Sequence, residues 1–147
     1  ITREEFVKIA VLVFDIYNEN ATTDFTDVKT SDWFYKYVAS AGENEIINGV
    51  EDGVFGTGRN LSREDLAVII YRMMKKTNVK FTEDGEYIEF VDEGLFSDYA
   101  GDAIKELAKS GVVNGIGNNE FAPKNLCTRA EATKMLYVAY KLKEGAK

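Results

Sequence analysis

The sequence predicts a mainly α-helical fold built from repeated helix–loop–helix units. Three observations support this fold class. A Thr/Ser-Arg segment occurs three times, glycine and aromatic landmarks recur at fixed spacing, and each Thr/Ser-Arg segment begins a stretch with apolar residues at helical spacing. Because the three apolar stripes match, they can bury against one another. The expected architecture is therefore a central three-helix bundle carrying the repeats, with one short β-hairpin between two of them.

Length and composition indicate one ordinary globular domain and exclude several functions. The chain has 147 residues, of which 45% are apolar and 29% charged, unlike a disordered or collagen-like chain. Its net charge of −7 argues against a nucleic-acid partner, which needs many cations. Histidine is absent and Cys127 is the one cysteine, so His-based triads and zinc sites are excluded and no cofactor or metal is expected. No apolar run approaches the ~20 residues of a membrane span.

Four landmarks recur in two units: an aromatic residue, a glycine, a phenylalanine and an arginine, at successive intervals of 16, 6 and 8 residues. They are Trp33, Gly49, Phe55 and Arg63 in one unit and Tyr99, Gly115, Phe121 and Arg129 in the next. Three intervals that agree between two units are hard to obtain by chance, so we treat the units as an internal repeat.

The repeats divide the chain, taken as one composite domain over 1–147. Residues 1–20 form the back half of a first repeat, residues 21–78 a second repeat, and residues 79–147 a third repeat. An insertion at 79–90 within the third repeat contains Asp-Gly, which favours a hairpin. The chain starts without Met or a signal-like stretch, so it is expected to be a fragment of a longer precursor.

Each Thr/Ser-Arg segment predicts the start of an amphipathic helix. Capping-box patterns stand at the starts: Thr2 with Glu5, Thr128 with Glu131 and, in weaker form, Ser62 with Asp65. The predicted apolar stripes are Phe6, Ile9, Ala10, Val13 and Phe14; Leu66, Ile69, Ile70, Met73 and Met74; and Ala132, Met135, Leu136, Ala139 and Tyr140. Ile9, Ile70 and Leu136 share one repeat position and are expected to be buried near a common axis.

A second class of helix precedes each glycine landmark. Apolar spacing predicts one such helix over residues 33–41 and its counterpart over residues 99–107. Ser-Asp pairs ending in Asp32 and Asp98 stand before them as candidate N-caps. Polar loops follow the glycines and lead back to the phenylalanine landmarks, so each repeat runs helix, turn, loop, helix.

These landmarks resemble the S-layer homology domain, whose repeat runs from Phe-x-Asp through an aromatic residue and Gly-Ile-x-x-Gly to Asp-Gly-x-Phe and Thr-Arg-Ala-Glu. The second repeat has Phe25-Thr26-Asp27, Asn48-Gly49, Asp52-Gly53-Val54-Phe55 and Ser62-Arg63-Glu64-Asp65. The third repeat has Phe90-Val91-Asp92, Gly111-Val112-Val113-Asn114-Gly115, Phe121-Ala122-Pro123 and Thr128-Arg129-Ala130-Glu131. Two departures are Glu45 at the family's first glycine and Tyr99 in place of its tryptophan.

The resemblance implies a pseudo-threefold, three-pronged helical spindle with grooves between neighbouring repeats. It also implies an extracellular domain that attaches a surface protein non-covalently to a bacterial cell-wall polysaccharide, often one that carries pyruvate ketals. Two alternatives remain open: a glycoside hydrolase, since 25 carboxylates always permit a catalytic pair, and a protein–protein module that self-associates in a surface layer.

The three repeated arginines are the first candidate ligand contacts. Arg3, Arg63 and Arg129 each follow a helix cap, where a cation faces the positive end of the helix dipole at a cost of ~0.3–1 kcal/mol. A bound carboxylate or phosphate would compensate for that cost. A structural alternative is an internal ion pair, for instance with Asp27 or Asp92, or stacking on an aromatic ring. For an arginine that serves only a ligand, Arg63→Ala would leave stability unchanged or slightly improved.

Three further pairs of repeated residues complete the candidate site, and each has a structural alternative. The aromatic pair stacks on a sugar ring or packs into the core. The glycine pair allows close approach of a ligand or ends the preceding helix in a left-handed conformation. The aspartate pair contacts the ligand or caps a helix. These pairs are Trp33 and Tyr99, Gly49 and Gly115, and Asp32 and Asp98.

Overall fold

Five α-helices and one short 3-10 helix make up the regular secondary structure of the described residues, 1–82, 85–87 and 89–145, in a computed structural model. In that part of the chain the remaining β-type pairing consists of isolated bridges. The helices are α1 (Arg3–Val13), α2 (Tyr35–Glu43), α3 (Arg63–Lys76), the 3-10 helix (Glu93–Leu95), α4 (Gly101–Lys109) and α5 (Arg129–Gly145). The predicted mainly α-helical class is therefore confirmed. The turn of the expected hairpin at 79–90 is Asp84-Gly85, and its Asp84 lies outside the described residues.

The chain forms two compact units, Ile1–Asn60 and Leu61–Lys147. The first unit contains α1 packed against α2, and the second contains α3 packed against both α4 and α5. The second unit thus joins the last helix of the second sequence repeat to the whole of the third. The central three-helix bundle and the pseudo-threefold arrangement stay predictions, as does the single composite domain.

Helix α1 buries a different face from the predicted one. Ile9 was expected in the core but is 37% exposed, and Val13 is half-buried. Nearly every residue from Phe6 to Phe14 is apolar, so the sequence fits several helical stripes equally well. Contact with α2 selects among them. The buried stripe is Phe6, Val7, Ala10, Val11 and Phe14.

The stripes of α3 and α5 agree closely with the prediction. All five predicted residues of α3 are buried, including Ile70 at 0% exposure. In α5 the predicted residues Ala132, Met135, Leu136 and Ala139 are buried, and Tyr140 is half-buried.

The caps of the three Thr/Ser-Arg helices are also confirmed. Thr2 and Glu5 exchange hydrogen bonds as a complete capping box. Thr128 and Glu131 do the same. Ser62 Oγ accepts the Asp65 N–H at 3.1 Å, which is half of a box.

The predicted starts and caps of the second helix class are wrong. Helices α2 and α4 begin at Tyr35 and Gly101, and neither has a side-chain cap hydrogen bond. The Asp32 carboxylate instead accepts the Lys29 N–H at 2.7 Å and closes a turn before α2. The predicted stripe residues Trp33 and Tyr99 therefore precede the helices and are 57% and 56% exposed.

The two glycines of the candidate site differ in conformation, and neither ends a helix. Gly49 has φ +81°, as predicted, whereas Gly115 does not adopt the left-handed region. Both positions exclude a side chain, since a Cβ on Gly49 would lie 2.4 Å from Val54 O and one on Gly115 would lie 2.9 Å from Glu120 O. At each glycine the backbone closely approaches a backbone carbonyl group of the same loop.

The left-handed residues after α2 and α4 are Glu45 and Gly111, which occupy the same repeat position. Their φ angles are +59° and +70°. Each follows the residue that closes the helix, Asn44 or Ser110. Glycine adopts this conformation without steric cost, whereas a residue with a Cβ is strained there.

We expect Glu45→Gly to raise the free energy of unfolding by about 1 kcal/mol, because it removes a left-handed side chain. The matched variant Gly111→Ala should lower it by about the same amount. A Cβ on Gly111 would meet no atom within 4 Å, so this change tests conformation alone. Urea unfolding of the two variants measures both effects. A loss of stability in Glu45→Gly would contradict this account of the helix end.

Candidate ligand-binding cleft

Arg63 lies almost entirely inside the second unit although it is the first residue of α3. Its side chain is 4% exposed. Nε donates to Phe121 O at 2.8 Å, and Nη2 donates to Asn114 O at 3.1 Å. Nη1 donates to Glu131 Oε1 at 2.7 Å. These contacts use three of the five N–H donors of the guanidinium.

The guanidinium of Arg63 also stacks on an aromatic ring, and Arg3 repeats the arrangement in the first unit. Cζ of Arg63 lies 5.0 Å from the centre of the Phe121 ring. Cζ of Arg3 lies 5.1 Å from the centre of the Phe55 ring, and Arg3 Nε donates to Phe55 O at 2.9 Å. Aromatic stacking, one of the structural alternatives, is therefore present at both arginines. It binds the start of a helix to the loop that follows the glycine landmark.

The other structural alternative, an internal ion pair, is present at Arg63, but its partner is Glu131 rather than an aspartate. Asp27 accepts the backbone N–H groups of residues 55–57 at 2.8 Å each. Asp92 accepts those of Phe121 and Ala122 at 2.9 and 2.7 Å. Burial alone would raise the pKa of Asp27, but the hydrogen bonds from the backbone outweigh it and lower that pKa. Both aspartates therefore order the same loops as the arginines. The aspartates accept hydrogen bonds from backbone N–H groups, whereas Arg3 and Arg63 donate to backbone carbonyl oxygens.

A cleft of about 320 Å³ opens beside Arg63 in the second unit. Its walls combine apolar side chains, exposed backbone and three charged groups. The lining residues are Arg63, Val112, Asn114, Gly115, Ile116, Glu131, Lys134 and Met135. A concave, largely apolar surface with a few convergent polar groups is the usual form of a small-ligand site.

The cleft brings together two of the predicted site residues, Arg63 and Gly115. Tyr99 lies outside its lining and donates its hydroxyl to Asp65 Oδ1 at 2.8 Å. Burial, followed by that hydrogen bond, raises the pKa of Tyr99 to about 12. Asp98 and Arg129 are exposed and also lie outside the lining.

The remaining predicted residues belong to the first unit: Arg3, Asp32, Trp33 and Gly49. Trp33 packs edge-on against Phe34, with ring centres 5.2 Å apart. The ammonium of Lys8 lies 5.1 Å from the centre of the indole ring. The exposed indole is therefore a surface group with a cation beside it.

Sequence reasoning missed Glu131 and Lys134 as lining residues. Glu131 was assigned only to a capping box, and Lys134 was given no role. They lie three residues apart, and Met135 follows at the next position, so all three share one face of the helix. That spacing was the available signal, because it places Lys134 and Met135 beside Glu131, the last residue of the repeat's Thr-Arg-Ala-Glu segment.

The charge of Glu131 is stabilised from two sides. Hydrogen bonds from the hydroxyl and the backbone N–H of Thr128 lower the pKa of Glu131 and outweigh the effect of burial, and Arg63 adds a smaller contribution in the same direction. The cleft therefore contains an anionic carboxylate at neutral pH. Burial, together with the charge of Glu131, raises the pKa of Cys127 to about 11, so this buried thiol stays protonated.

The buried Glu64, next to Arg63, orders the loop that precedes α4. Its carboxylate accepts the Ser97 N–H at 3.0 Å and the Ser97 hydroxyl at 2.9 Å, and it pairs with Lys124. Burial alone would raise the pKa of Glu64, but the hydrogen bonds from Lys124 and Ser97 outweigh it and lower that pKa. The ionised form of Glu64 therefore stabilises the fold.

Comparison with known proteins agrees with the repeat geometry. The model of the S-layer homology domain matches residues 24–67 and 89–133, more than half of the chain. The chain is also similar to a cellulosome-anchoring protein of Acetivibrio thermocellus, with 24% identity over 140 residues. That alignment covers 92% of this chain and 31% of the relative.

Two enzymes are similar to the chain over a small part of their own length. An amylopullulanase of Thermoanaerobacterium thermosulfurigenes is 33% identical over 138 residues, and exoglucanase XynX of Acetivibrio thermocellus is 32% identical over 138 residues. Each alignment covers 93% of this chain but only 7% and 12% of the respective enzyme. The similarity therefore concerns one module of large multidomain proteins.

The matched segments include the starts of the capped helices α3 and α5 and the loop residues that Arg63 binds. The chain belongs to the S-layer homology domain family. It is an extracellular, cell-surface domain that anchors surface proteins to the cell wall. Among the described residues, no helix has the length and apolar character needed to cross a membrane.

The lowered pKa of Glu64 predicts a specific acid response. We expect Glu64→Gln to lower the free energy of unfolding at pH 7 by about 1–3 kcal/mol, because it weakens charge-assisted hydrogen bonds in a buried site. A lowered folded-state pKa gives stability that is present above the ordinary value of 4.5 and is lost as the pH falls through the folded-state value. The difference between wild type and variant should therefore shrink on acidification, as measured by urea unfolding between pH 7 and pH 3.

Glu106→Gln is the control for this experiment. Glu106 pairs with Lys109 at 3.3 Å on the surface of α4. A surface pair contributes only ~0–1 kcal/mol, so this variant should unfold like wild type at pH 7. A stability difference for Glu64→Gln that grows on acidification would contradict the assigned role of the carboxylate.

Proposed function

We propose that this domain anchors its parent protein by binding an acidic secondary cell-wall polysaccharide, and that the cleft beside Arg63 receives a carboxylate-bearing sugar such as a pyruvate ketal. The observation that supports it most strongly is a buried guanidinium on the wall of a concave cleft that combines apolar and charged side chains. An arginine holds a carboxylate through two parallel hydrogen bonds. Its planar group is already oriented here by Phe121 O and Asn114 O.

The rest of the cleft suits a sugar ring with an acidic substituent. Val112, Ile116 and Met135 provide apolar surface for C–H groups, and Lys134 adds a second cation. The chain as a whole carries a net charge of −7, which repels an anionic polymer at long range. Affinity must therefore come from local cations, multiplied by repeated engagement of one polymer.

The other predicted site residues remain candidate contacts for further sugar units. Trp33 and Tyr99 expose more than half of their surface, as a ring that stacks on a pyranose requires. Arg3 repeats the stacking geometry of Arg63 in the first unit. Arg129, Asp32, Asp98 and Gly49 complete the proposed set, with Gly115 in the cleft itself.

The two alternative functions make different predictions. A hydrolase activity in this module is disfavoured, because the similar enzymes match it over only 7% and 12% of their length. A protein–protein module would self-associate without carbohydrate. Analytical ultracentrifugation of the isolated chain distinguishes this alternative from polysaccharide binding.

The proposal predicts that the chain co-sediments with purified cell-wall sacculi and stays in solution once the secondary polysaccharide has been stripped from them. Lys134→Gln should reduce co-sedimentation roughly 3- to 10-fold, since it removes one cleft cation. Lys141→Gln is the matched control. Lys141 is exposed on the same helix and lies outside the lining of the cleft. Binding that survives stripping would point to peptidoglycan and overturn the proposal.

A conservative substitution at Arg63 is needed to separate an effect on binding from an effect on stability. Because it is buried and hydrogen-bonded to two carbonyl groups, we now expect Arg63→Ala to destabilise the domain by roughly 2–4 kcal/mol. Arg63→Lys retains the charge but lacks the planar fork. It should reduce binding to sacculi more than Lys134→Gln does, at a temperature where thermal melts show both variants folded.

A further inference from the structure

We infer that Glu131 is an internal competitor for the carboxylate of the ligand and so limits the affinity of the cleft for acidic sugars. The inference rests on the function proposed above. Glu131 Oε1 lies 2.7 Å from Arg63 Nη1, and both side chains line the cleft. An incoming carboxylate and Glu131 thus require the same guanidinium.

The opposite oxygen of Glu131 keeps this carboxylate in place. Oε2 accepts the Thr128 N–H at 2.8 Å and the Thr128 hydroxyl at 2.6 Å. The capping box therefore orients the side chain at the start of α5 so that Oε1 is directed at Arg63. A structural feature of the repeat, the helix cap, thereby places an anion in the cleft.

Arg63 does not depend on Glu131 for its position. Nε and Nη2 are held by Phe121 O and Asn114 O, and the guanidinium stacks on the Phe121 ring. Those contacts remain when Glu131 moves or loses its charge. A carboxylate that only oriented the arginine would duplicate a function that three other contacts already perform.

Glu131 can leave the guanidinium without becoming a buried, unsolvated charge. Its side chain is 34% exposed, so water can solvate Oε1 after displacement. Lys134 lies three residues further along α5 and lines the same cleft, within reach of an i,i+3 ion pair. A bound acidic sugar would thus replace Glu131 at Arg63, and each exchange subtracts the lost ion pair from the binding free energy.

This exchange predicts a gain of affinity when the charge of Glu131 is removed. Glu131→Gln retains a side-chain oxygen for the Thr128 N–H but no longer competes as an anion. We expect its affinity for purified secondary cell-wall polysaccharide to rise about 3- to 10-fold over wild type. The same polysaccharide after reduction of its carboxyl groups should bind both proteins equally. Isothermal titration calorimetry at fixed ionic strength measures both arms.

Glu106→Gln is the matched control, because it makes the same chemical change and the same change in net charge on α4, outside the lining of the cleft. It should bind the intact polysaccharide like wild type. If Glu131→Gln binds as wild type does, or more weakly, the carboxylate positions the arginine and this inference alone is overturned. If wild type, Glu131→Gln and Glu106→Gln all fail to bind, the proposed function is overturned and the inference falls with it.

A measurement on the wild-type chain tests the inference even if Glu131→Gln has a folding defect. The carboxyl ¹³C resonance of Glu131 should shift when the intact polysaccharide is added, as its ion pair with Arg63 opens. The carboxyl-reduced polysaccharide should leave that resonance unchanged. An unchanged resonance on saturation with the intact polysaccharide would overturn the inference.

Discussion

The interaction on which the rest of the structure depends is the stacking of an N-terminal helix arginine on the phenylalanine of a neighbouring loop. It occurs at Arg3 with Phe55 and at Arg63 with Phe121, and in both cases Nε also donates to the carbonyl of that phenylalanine. The cation is poorly placed for its own helix dipole. Its cost is offset by these contacts, which join residues more than 50 positions apart in the chain. Among the described residues the β-type pairing consists of isolated bridges, so contacts of this kind hold the loops.

The aspartate of each Phe-x-Asp segment completes the same loop. Asp27 and Asp92 accept backbone N–H groups at and after the phenylalanine, whereas the arginine takes its carbonyl oxygen. Both polar sides of the peptide chain are therefore satisfied in a stretch with no regular secondary structure, as buried backbone requires. The cleft is a by-product of this construction. Once Arg63 is anchored beneath the loop, its remaining face and the first turn of α5 border an open concave surface.

The sequence predicted the parts of the fold that depend on local pattern. The caps at Thr2, Ser62 and Thr128 and the apolar faces of α3 and α5 are determined by residues within one or two turns of each other. The burial of α1 was mispredicted because its residues from Phe6 onward are apolar except for Lys8, and only contact with α2 selects its face. The starts of α2 and α4 were mispredicted because Asp32 and Ser97 bond to other partners, the Lys29 N–H and the Glu64 carboxylate.

The site was predictable only in outline for the same reason. Repetition identified Arg63 and Gly115, which share the cleft, but it equally selected Tyr99 and Asp98, which lie outside it. Nothing in the spacing shows that Glu131, already explained as a cap, also reaches an arginine 68 positions away. A residue with two partners is assigned to the nearer one by sequence reasoning. The distant partner appears only when the chain is folded.

The offset between the structural unit and the sequence repeat has a consequence for how such chains can be divided. The second unit begins at Leu61 and takes α3 with it, although α3 ends the second sequence repeat. A cut between residues 78 and 79 would separate Arg63 from Phe121 and Glu64 from Ser97. A cut between residues 60 and 61 would leave Arg3 with Phe55 and Arg63 with Phe121. Recombination of these modules, in nature or in the laboratory, therefore preserves these contacts when the junction lies between residues 60 and 61, and not at the repeat boundary that the sequence motif suggests.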